Sequence, residues 1–210
     1  FLLLSPTIAV VTNIDKEHMD FHQTMERLND NFLTFINKVP FYGLAVLCID
    51  DINVRALLPK AKKRFATYGL SPEADFSAED LKMTAAGVEF TAMHEAKSLG
   101  KLRLHLPGRH SATNALAAVA VAHELEIPFT QVSDALSRFT GIHRRFEIKG
   151  EPNGILVIDD YGHHPTEIRA TIGAIRDSWK RPLTVIFQPH RFTRTRDLFD
   201  EFLTAFEGAE

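Results

Sequence analysis

The densest group of reactive side chains lies in residues 159–167, where three acids, a tyrosine and two histidines fall within nine residues. An apolar run precedes the segment and a predicted helix follows it. One of the two histidines is expected to have a core role, and we assign that role to His164. Because histidine and aspartate are common ligands of zinc and manganese, the spacing alone also permits a metallohydrolase.

A second segment, residues 188–197, is strongly basic, since Arg191, Arg194 and Arg196 lie within six residues and only Asp197 offsets them. Guanidinium groups at this density predict a binding site for an anion such as phosphate. A solvated basic loop is the alternative interpretation. Both segments follow a predicted strand and precede a predicted helix, so we expect them to share one cleft.

Two earlier segments carry weaker signals. Residues 13–20 combine His18 with several carboxylates and predict a cation or phosphate site, although a solvated turn that caps the next helix explains them equally well. Asn114 lies near the start of an alanine-rich helix, where its amide could read an adenine edge through a paired donor and acceptor. An ordinary capped core helix is the competing interpretation of Asn114.

Two adjacent arginines, Arg144 and Arg145, occupy the predicted joint between two domains. An arginine at such a joint can reach across to a phosphate when the domains close, because its planar fork suits phosphate oxygens. A surface ion pair is the alternative for both residues, and it fits Arg144 better than Arg145.

The elements that carry these segments predict an α/β protein with a mostly parallel sheet. Continuous apolar strands at residues 8–14 and 44–49 are separated by an amphipathic helix that Thr24 caps. Alternating apolar residues between residues 65 and 106 predict antiparallel edge strands. Two helices follow, at about residues 111–125 and 130–139.

A second, truncated α/β unit of the Rossmann type is predicted after Gly150. We place the domain boundary beside Gly141, so that the two domains are residues 1–143 and residues 144–210. The second unit is expected to contain a strand at residues 155–159, a helix at 165–177, a strand at 183–187 and a helix at about 195–206.

Composition places the chain among ordinary globular proteins, with 45% hydrophobic and 24% charged residues. A net charge of -3 argues against general attraction to nucleic acid or to anionic membranes. The apolar residues 1–11 are fewer than the roughly 20 that a membrane span needs, and we interpret the chain as starting inside a larger protein. The single cysteine, Cys48, is expected to be a buried thiol of a cytoplasmic protein.

Taken in their order along the chain, the segments resemble those of the Mur ligases, the ATP-dependent amide-forming enzymes of peptidoglycan assembly. Residues 13–20, 40–43, 159–167 and 188–197 are most similar to the branch that adds L-alanine to UDP-N-acetylmuramate. The resemblance implies that ATP, with Mg²⁺, phosphorylates the substrate carboxylate to an acyl phosphate, which the amino group of L-alanine then attacks. A related recycling ligase, which adds a whole tripeptide, is the alternative.

The resemblance also implies a role for each candidate residue and domain. Residues 1–143 would be the second half of a central ATP-binding domain, and residues 144–210 the start of a C-terminal domain. His18 would belong to the magnesium site. The residues assigned to the nucleotide sugar are Asn13 and His110. The residues assigned to ATP are Asn114, Arg145, Asp160 and Tyr161. The residues assigned to catalysis, facing the incoming amino acid and the acyl phosphate, are His163, Arg191 and Arg194.

The sequence departs from the family pattern in three ways. It contains no glycine-rich loop that ends in Lys followed by Ser or Thr, so the resemblance places that loop and an acidic metal ligand upstream of Phe1. Ser111 stands where family members usually have Asn. The first long helix offers only Lys38 near its end, so the modified lysine of several sister ligases is not evident.

We expect the isolated chain to form no product, and a non-catalytic nucleotide-sugar-binding module is the remaining alternative.

Overall fold

The computed structural model describes residues 1–210, and its chain contacts separate into two units. The N-terminal unit comprises Phe1–Leu81, Phe90–Leu102 and Ala112–Leu136. The C-terminal unit comprises Lys82–Glu89, Arg103–Ser111 and Ser137–Glu210.

Three parallel strands form the start of the main sheet: β1 (Ile8–Val11), β2 (Leu44–Cys48) and β3 (Phe65–Tyr68). All five residues of β2 are buried, as expected for a continuous apolar run that is covered on both faces. Cys48 is 3% exposed, which confirms the buried thiol. Polar residues follow β1 at its carboxyl end, where parallel sheets present their ligand-binding loops.

Side-chain caps precede two of the helices on this sheet, and the sequence predicted the first of them. The short α1 (Met19–His22) precedes α2 (Met25–Ile36), and the Thr24 hydroxyl accepts a hydrogen bond from the backbone N–H of Arg27 at 3.1 Å. Asp51 caps α3 (Ile52–Leu57) in the same way, since its carboxylate accepts from the N–H of Val54 at 2.8 Å. The buried face of α2 packs with β1, β2 and α3 in one core cluster.

The remaining strands of the six-stranded sheet are β4 (Phe76–Thr84), β5 (Gly87–His94) and β6 (Lys97–Leu104), in the order β1 to β6. Two-residue connections join them, and the second connection has positive φ at both Glu95 and Ala96, which is the geometry of an antiparallel hairpin. The expectation of antiparallel strands is wrong at its start. The strand β3 pairs in parallel with β2, because the chain between them crosses over through α3.

Two helices, α4 (Arg109–Glu124) and α5 (Phe129–Ser137), follow the sheet close to the predicted positions. The alanine-rich face of α4 is buried, which suits close approach of a helix to its neighbours. Its last residue, Glu124, accepts two hydrogen bonds from Arg64, at 2.6 and 2.7 Å. No helix in the structure has both the length and the apolar character needed to cross a membrane.

The C-terminal unit pairs β7 (Glu147–Gly150) with β8 (Val157–Asp159) and adds α6 (Pro165–Ser178), α7 (Phe192–Asp197) and α8 (Phe199–Ala205). The strands β7 and β8 run antiparallel. The main sheet, whose first strands pair in parallel, confirms the α/β class with a mostly parallel sheet.

Two details of this unit differ from the sequence expectation. Residues 183–187 form no regular strand, although alternate apolar side chains of the segment pack against the core of α6 and α8. Alternation records which side chains are buried, whereas a strand also needs a hydrogen-bonded neighbour. The single helix expected at 195–206 is two helices, because the chain turns out of helical geometry at Leu198, which is 1% exposed.

A cluster of three aromatic rings in the N-terminal unit leads us to expect a pH-dependent stability. His94 stacks on Phe76 at 4.3 Å and lies 4.4 Å from the His123 ring. Burial and then His123 lower the pKa of His94 from its ordinary 6.5, while Glu95 and Asp75 oppose the shift. Because the folded state binds this proton more weakly than the unfolded chain, we expect stability to fall as pH drops below about 6.5. Urea midpoints at pH 7.5 and 5.5 measure it, and His94→Phe should reduce the difference. An undiminished difference in that variant would contradict the assignment.

Candidate functional site

The loop between β8 and α6 is held in place by the Asp160 carboxylate. One oxygen accepts the backbone N–H of Gly162 at 2.6 Å. The other accepts the backbone N–H of Phe146 at 2.9 Å and the hydroxyl of Thr171 at 3.2 Å. The resemblance assigns Asp160 to ATP. In the structure, its carboxylate also connects the turn at residues 144–146 to the loop and to α6.

The side chain of Tyr161 lies in a cationic cradle. The guanidinium carbons of Arg144 and Arg145 lie 4.9 and 5.8 Å from the centre of its ring. The His163 ring meets the same tyrosine edge-on at 5.2 Å. Tyr161 is 46% exposed, so one face of this cluster is open to solvent. The structure thus brings three predicted site residues together and adds Arg144 to them.

The two histidines of this loop have different environments. His164 is 3% exposed and forms the N-cap of α6, which confirms the core role expected for it. His163 is more accessible, and its Nδ1 lies 2.9 Å from the carbonyl oxygen of Tyr161. The His163 ring also lies 6.3 Å from that of His190. The loops after β8 and after residues 183–187 therefore meet at these two imidazoles, as the expectation of a shared cleft requires.

The arginines of the basic segment occupy three distinct positions. Arg191 precedes α7 with φ 71 and ψ 119, a conformation that a side-chain-bearing residue seldom adopts and that is often found at functional sites. Arg194 lies inside α7 and donates to the carbonyl oxygen of His190 at 3.0 Å. Arg196 forms an exposed ion pair with Asp197 at 2.7 Å. The sequence placed Arg194 before the helix, and the structure corrects this.

The loop of residues 13–20 belongs to the N-terminal unit and is anchored by α3. Asn53 donates to the carbonyl oxygen of Ile14 at 2.7 Å. Burial raises the pKa of Asp51, and backbone hydrogen bonds, including one from Ile14, oppose the shift. His18 begins α1 in a left-handed conformation, with φ 54. Sequence reasoning did not predict that Asn53 and Asp51 contact this loop, although their position just after β2 pointed to it.

The resemblance assigns His18 to a magnesium site. Magnesium favours oxygen ligands, so a histidine is an unusual partner for it. The structure contains no group of three or more His, Cys, Asp or Glu side chains that could hold a metal ion. No cluster of this kind therefore supports the metallohydrolase alternative, and the magnesium assignment of His18 stays a prediction.

Asn114, the candidate adenine contact, lies exposed in the second turn of α4, because that helix begins at Arg109 and not at Ser111. The hydroxyl of Ser111 is buried and donates to the carbonyl oxygen of Pro107 at 2.8 Å. Ser111 therefore uses its hydroxyl to hold the start of the helix. Asn114 is exposed, and it stays the candidate contact for adenine in this part of the helix.

His110 lies in the C-terminal unit with the Asp160 loop. Desolvation by surrounding atoms lowers the pKa of His110, and the carboxylate of Asp160 opposes the shift. The surface of His110 is nevertheless exposed, which argues that the loss of solvation is limited. His110 is thus available to a ligand, as the assignment to the nucleotide sugar requires.

We expect Gly108→Ala to destabilise the C-terminal unit by at least about 1 to 2 kcal/mol. Gly108 has φ +95, and an added Cβ would lie 2.7 Å from the Cβ of Ala174 and 2.8 Å from His110. Urea denaturation measures the effect. The matched control is Gly173→Ala, since nothing lies within 4 Å of the new methyl group and alanine favours a helix. Equal midpoints for the two variants would contradict the steric argument.

A residue that the sequence reasoning missed is Glu167. It completes a capping box with His164, and its carboxylate contacts Arg145 at 3.0 Å. The signal was an acid three residues after the cap, which is the capping-box spacing.

Two models of known families match the chain. The model of the Mur ligase middle domain matches residues 2–122. The model described as Mur ligase, glutamate ligase domain, matches residues 144–210.

Curated relatives match over the full length of this chain. It is 54% identical over 211 residues to a UDP-N-acetylmuramate–L-alanine ligase of Geobacter sp. (strain M21). It is 52% identical over 210 residues to the protein of the same name from Geotalea daltonii. In both cases 100% of this chain aligns with 46% of the relative, so the chain spans about half the length of these relatives.

Solved structures show the same fold. A UDP-N-acetylmuramate-alanine ligase from Thermotoga maritima superposes with a TM-score of 0.78 at 27% identity, over 99% of this chain and 45% of that one. A MurF ligase from the same organism, in complex with ADP, gives a TM-score of 0.79 at 18% identity, over 97% of this chain and 47% of that one. The middle-domain model accounts for more than half of the residues, and the chain therefore belongs to the Mur ligase family.

Proposed function

We propose that the protein containing this chain joins L-alanine to UDP-N-acetylmuramate in an ATP-dependent step of peptidoglycan synthesis. The observation that carries the proposal is the identity of 54% and 52%, over the whole chain, to two relatives that bear the name of this ligase. In the proposed reaction the carboxylate of the sugar takes the terminal phosphoryl group of ATP to form an acyl phosphate, and ADP leaves. The amino group of L-alanine then attacks the acyl carbon, and phosphate leaves as the amide forms.

The C-terminal unit supports the proposal through its charge. The cradle around Tyr161 and the basic segment at α7 place cationic side chains close to His163 and His190. Positive groups that are fixed before the reaction stabilise the charge that develops on a transferring phosphoryl group. We assign Arg145 to the phosphates of ATP, Asp160 and Tyr161 to its nucleoside side, and the catalytic roles to His163, Arg191 and Arg194.

The N-terminal unit is proposed to hold the other ligands. Its assignments are Asn114 to adenine, His18 to magnesium and Asn13 to the nucleotide sugar. In the C-terminal unit, His110 is also assigned to the nucleotide sugar. We place the domain boundary after residue 143, and the start of the second family model at residue 144 supports this position. A cytoplasmic location is part of the proposal, because two of the proposed substrates, ATP and UDP-N-acetylmuramate, are nucleotides.

The test is a ligation assay with the full-length protein, UDP-N-acetylmuramate, ATP and Mg²⁺. L-Alanine is supplied in one reaction and the tripeptide of the recycling ligase in a parallel one, and mass spectrometry identifies the product. We expect a product with L-alanine and little with the tripeptide. Preference for the tripeptide would establish the recycling activity instead. Absence of ATP-dependent product with either acceptor would favour a non-catalytic binding module. The isolated 210-residue chain is expected to be inactive.

A further inference from the structure

Glu167 occupies a central position between two of the assigned residues. Its Oε1 accepts a hydrogen bond from Nη1 of Arg145 at 3.0 Å. Its Oε2 accepts the backbone N–H of His163 at 2.9 Å and that of His164 at 3.2 Å. The same oxygen lies 3.7 Å from the Nδ1 of His163. One carboxylate therefore contacts a candidate phosphate ligand and the loop that carries a candidate catalytic imidazole.

The position of Glu167 itself is well determined. It lies in the first turn of α6, in a capping box in which the His164 ring accepts a backbone N–H of that turn. Burial opposes ionisation of Glu167, but hydrogen bonds from the His163 backbone and Arg145 outweigh it and lower the pKa of the carboxyl. The group is thus a fixed anion at the start of a helix, where negative charge is favourable.

Arg145 gains its orientation from this anion. Its guanidinium has five N–H donors in a rigid fork, and the contact with Glu167 uses one nitrogen, Nη1. The Tyr161 ring lies 5.8 Å away and provides a second surface against which the guanidinium is held. Arg145 is about half exposed, so donors are available to a ligand. Holding the fork before a phosphate arrives reduces the ordering that binding would otherwise require.

We propose that Glu167 is a positioning residue of the nucleotide site, which fixes the guanidinium of Arg145 through one oxygen and the His163 loop through the other. The proposal rests on the proposed function, in which Arg145 binds the phosphates of ATP. Glu167 acts through Arg145 and does not itself contact the nucleotide.

The variant Glu167→Gln separates the two contacts. The amide oxygen still accepts the backbone N–H groups of His163 and His164, so the capping box persists. The amide nitrogen then faces Arg145 and does not attract it. We expect the Kd for ATP of the full-length protein, measured by calorimetry, to rise about three- to tenfold. The melting temperature should change little.

The matched control is Glu147→Gln. Glu147 is another carboxylate beside this turn, and it contacts the Arg144 backbone, His143 and Lys149. The same substitution there should leave ATP binding unchanged.

A double-mutant cycle tests whether Glu167 acts through Arg145. In an Arg145→Ala background, Glu167→Gln should produce no further loss of ATP affinity. An equal loss in both backgrounds would overturn the proposal, as would tighter ATP binding by Glu167→Gln alone, because the carboxylate would then be competing with the phosphate. If the wild-type protein binds ATP but does not use L-alanine, the proposed function is refuted. The cycle would still measure the coupling between Glu167 and Arg145 in ATP binding.

Discussion

Replacing Arg191 or Arg194 by alanine in the full-length protein should lower kcat/KM by at least about tenfold. The loss of one charge-assisted contact to a developing phosphate costs roughly 1.5 to 3 kcal/mol. Arg194 is fixed by its bond to the carbonyl oxygen of His190, whose ring lies near that of His163. Arg191 is held at φ 71, and such conformations cluster at functional sites.

Arg196→Ala is the internal control for this prediction. Arg196 pairs with Asp197 at 2.7 Å on the surface, and exposed pairs of this kind contribute under about 1 kcal/mol. Steady-state kinetics and melting curves of the three single variants distinguish a loss of activity from a loss of stability. Equal activity losses at all three positions, or losses that follow the melting temperature, would show that the basic segment is structural.

Replacing Asp160 by alanine should destabilise the C-terminal unit by about 2 to 4 kcal/mol, because polar donors inside the unit lose their charged acceptor. The N–H of Phe146 is the most costly of them, since Phe146 is 7% exposed. Trp179, the only tryptophan of the chain, stacks against Phe146 at 6.0 Å and reports the change by fluorescence during urea denaturation.

Asp159→Ala is the matched control for Asp160. Its carboxylate is partly exposed and reaches Arg144 at 3.5 Å, a weak pair that should contribute under about 1 kcal/mol. If Asp160→Ala denatures like the wild type and loses only ATP affinity, the carboxylate serves the nucleotide and not the loop.

Much of the candidate site could be predicted from the sequence because its residues are neighbours along the chain. Asp160, Tyr161 and His163 share one loop, and an apolar strand before it with a proline-led helix after it fixes where that loop lies. The position of His164 as a buried cap follows from the same local pattern. Local propensity and burial are properties that nearby residues encode.

The partners of these residues could not be predicted, since they come from distant parts of the chain. The contact between Glu167 and Arg145 joins residues 22 positions apart. Asn53, which anchors the loop of Ile14, lies 39 positions from it. Side-chain contacts between residues so far apart in the sequence depend on how the elements pack. The sequence pattern of either segment does not specify that packing.

For the strands, too, the sequence predicted positions, whereas direction and pairing depended on the tertiary structure. The alternation of apolar residues by itself determined where β5 and β6 lie, and apolar continuity determined β1 and β2. Only the tertiary structure decided that β3 runs parallel to β2 and that residues 183–187 form no strand ladder. Side-chain patterns specify which faces are buried, whereas direction and pairing are set by the hydrogen-bonded neighbour, which the pattern does not name.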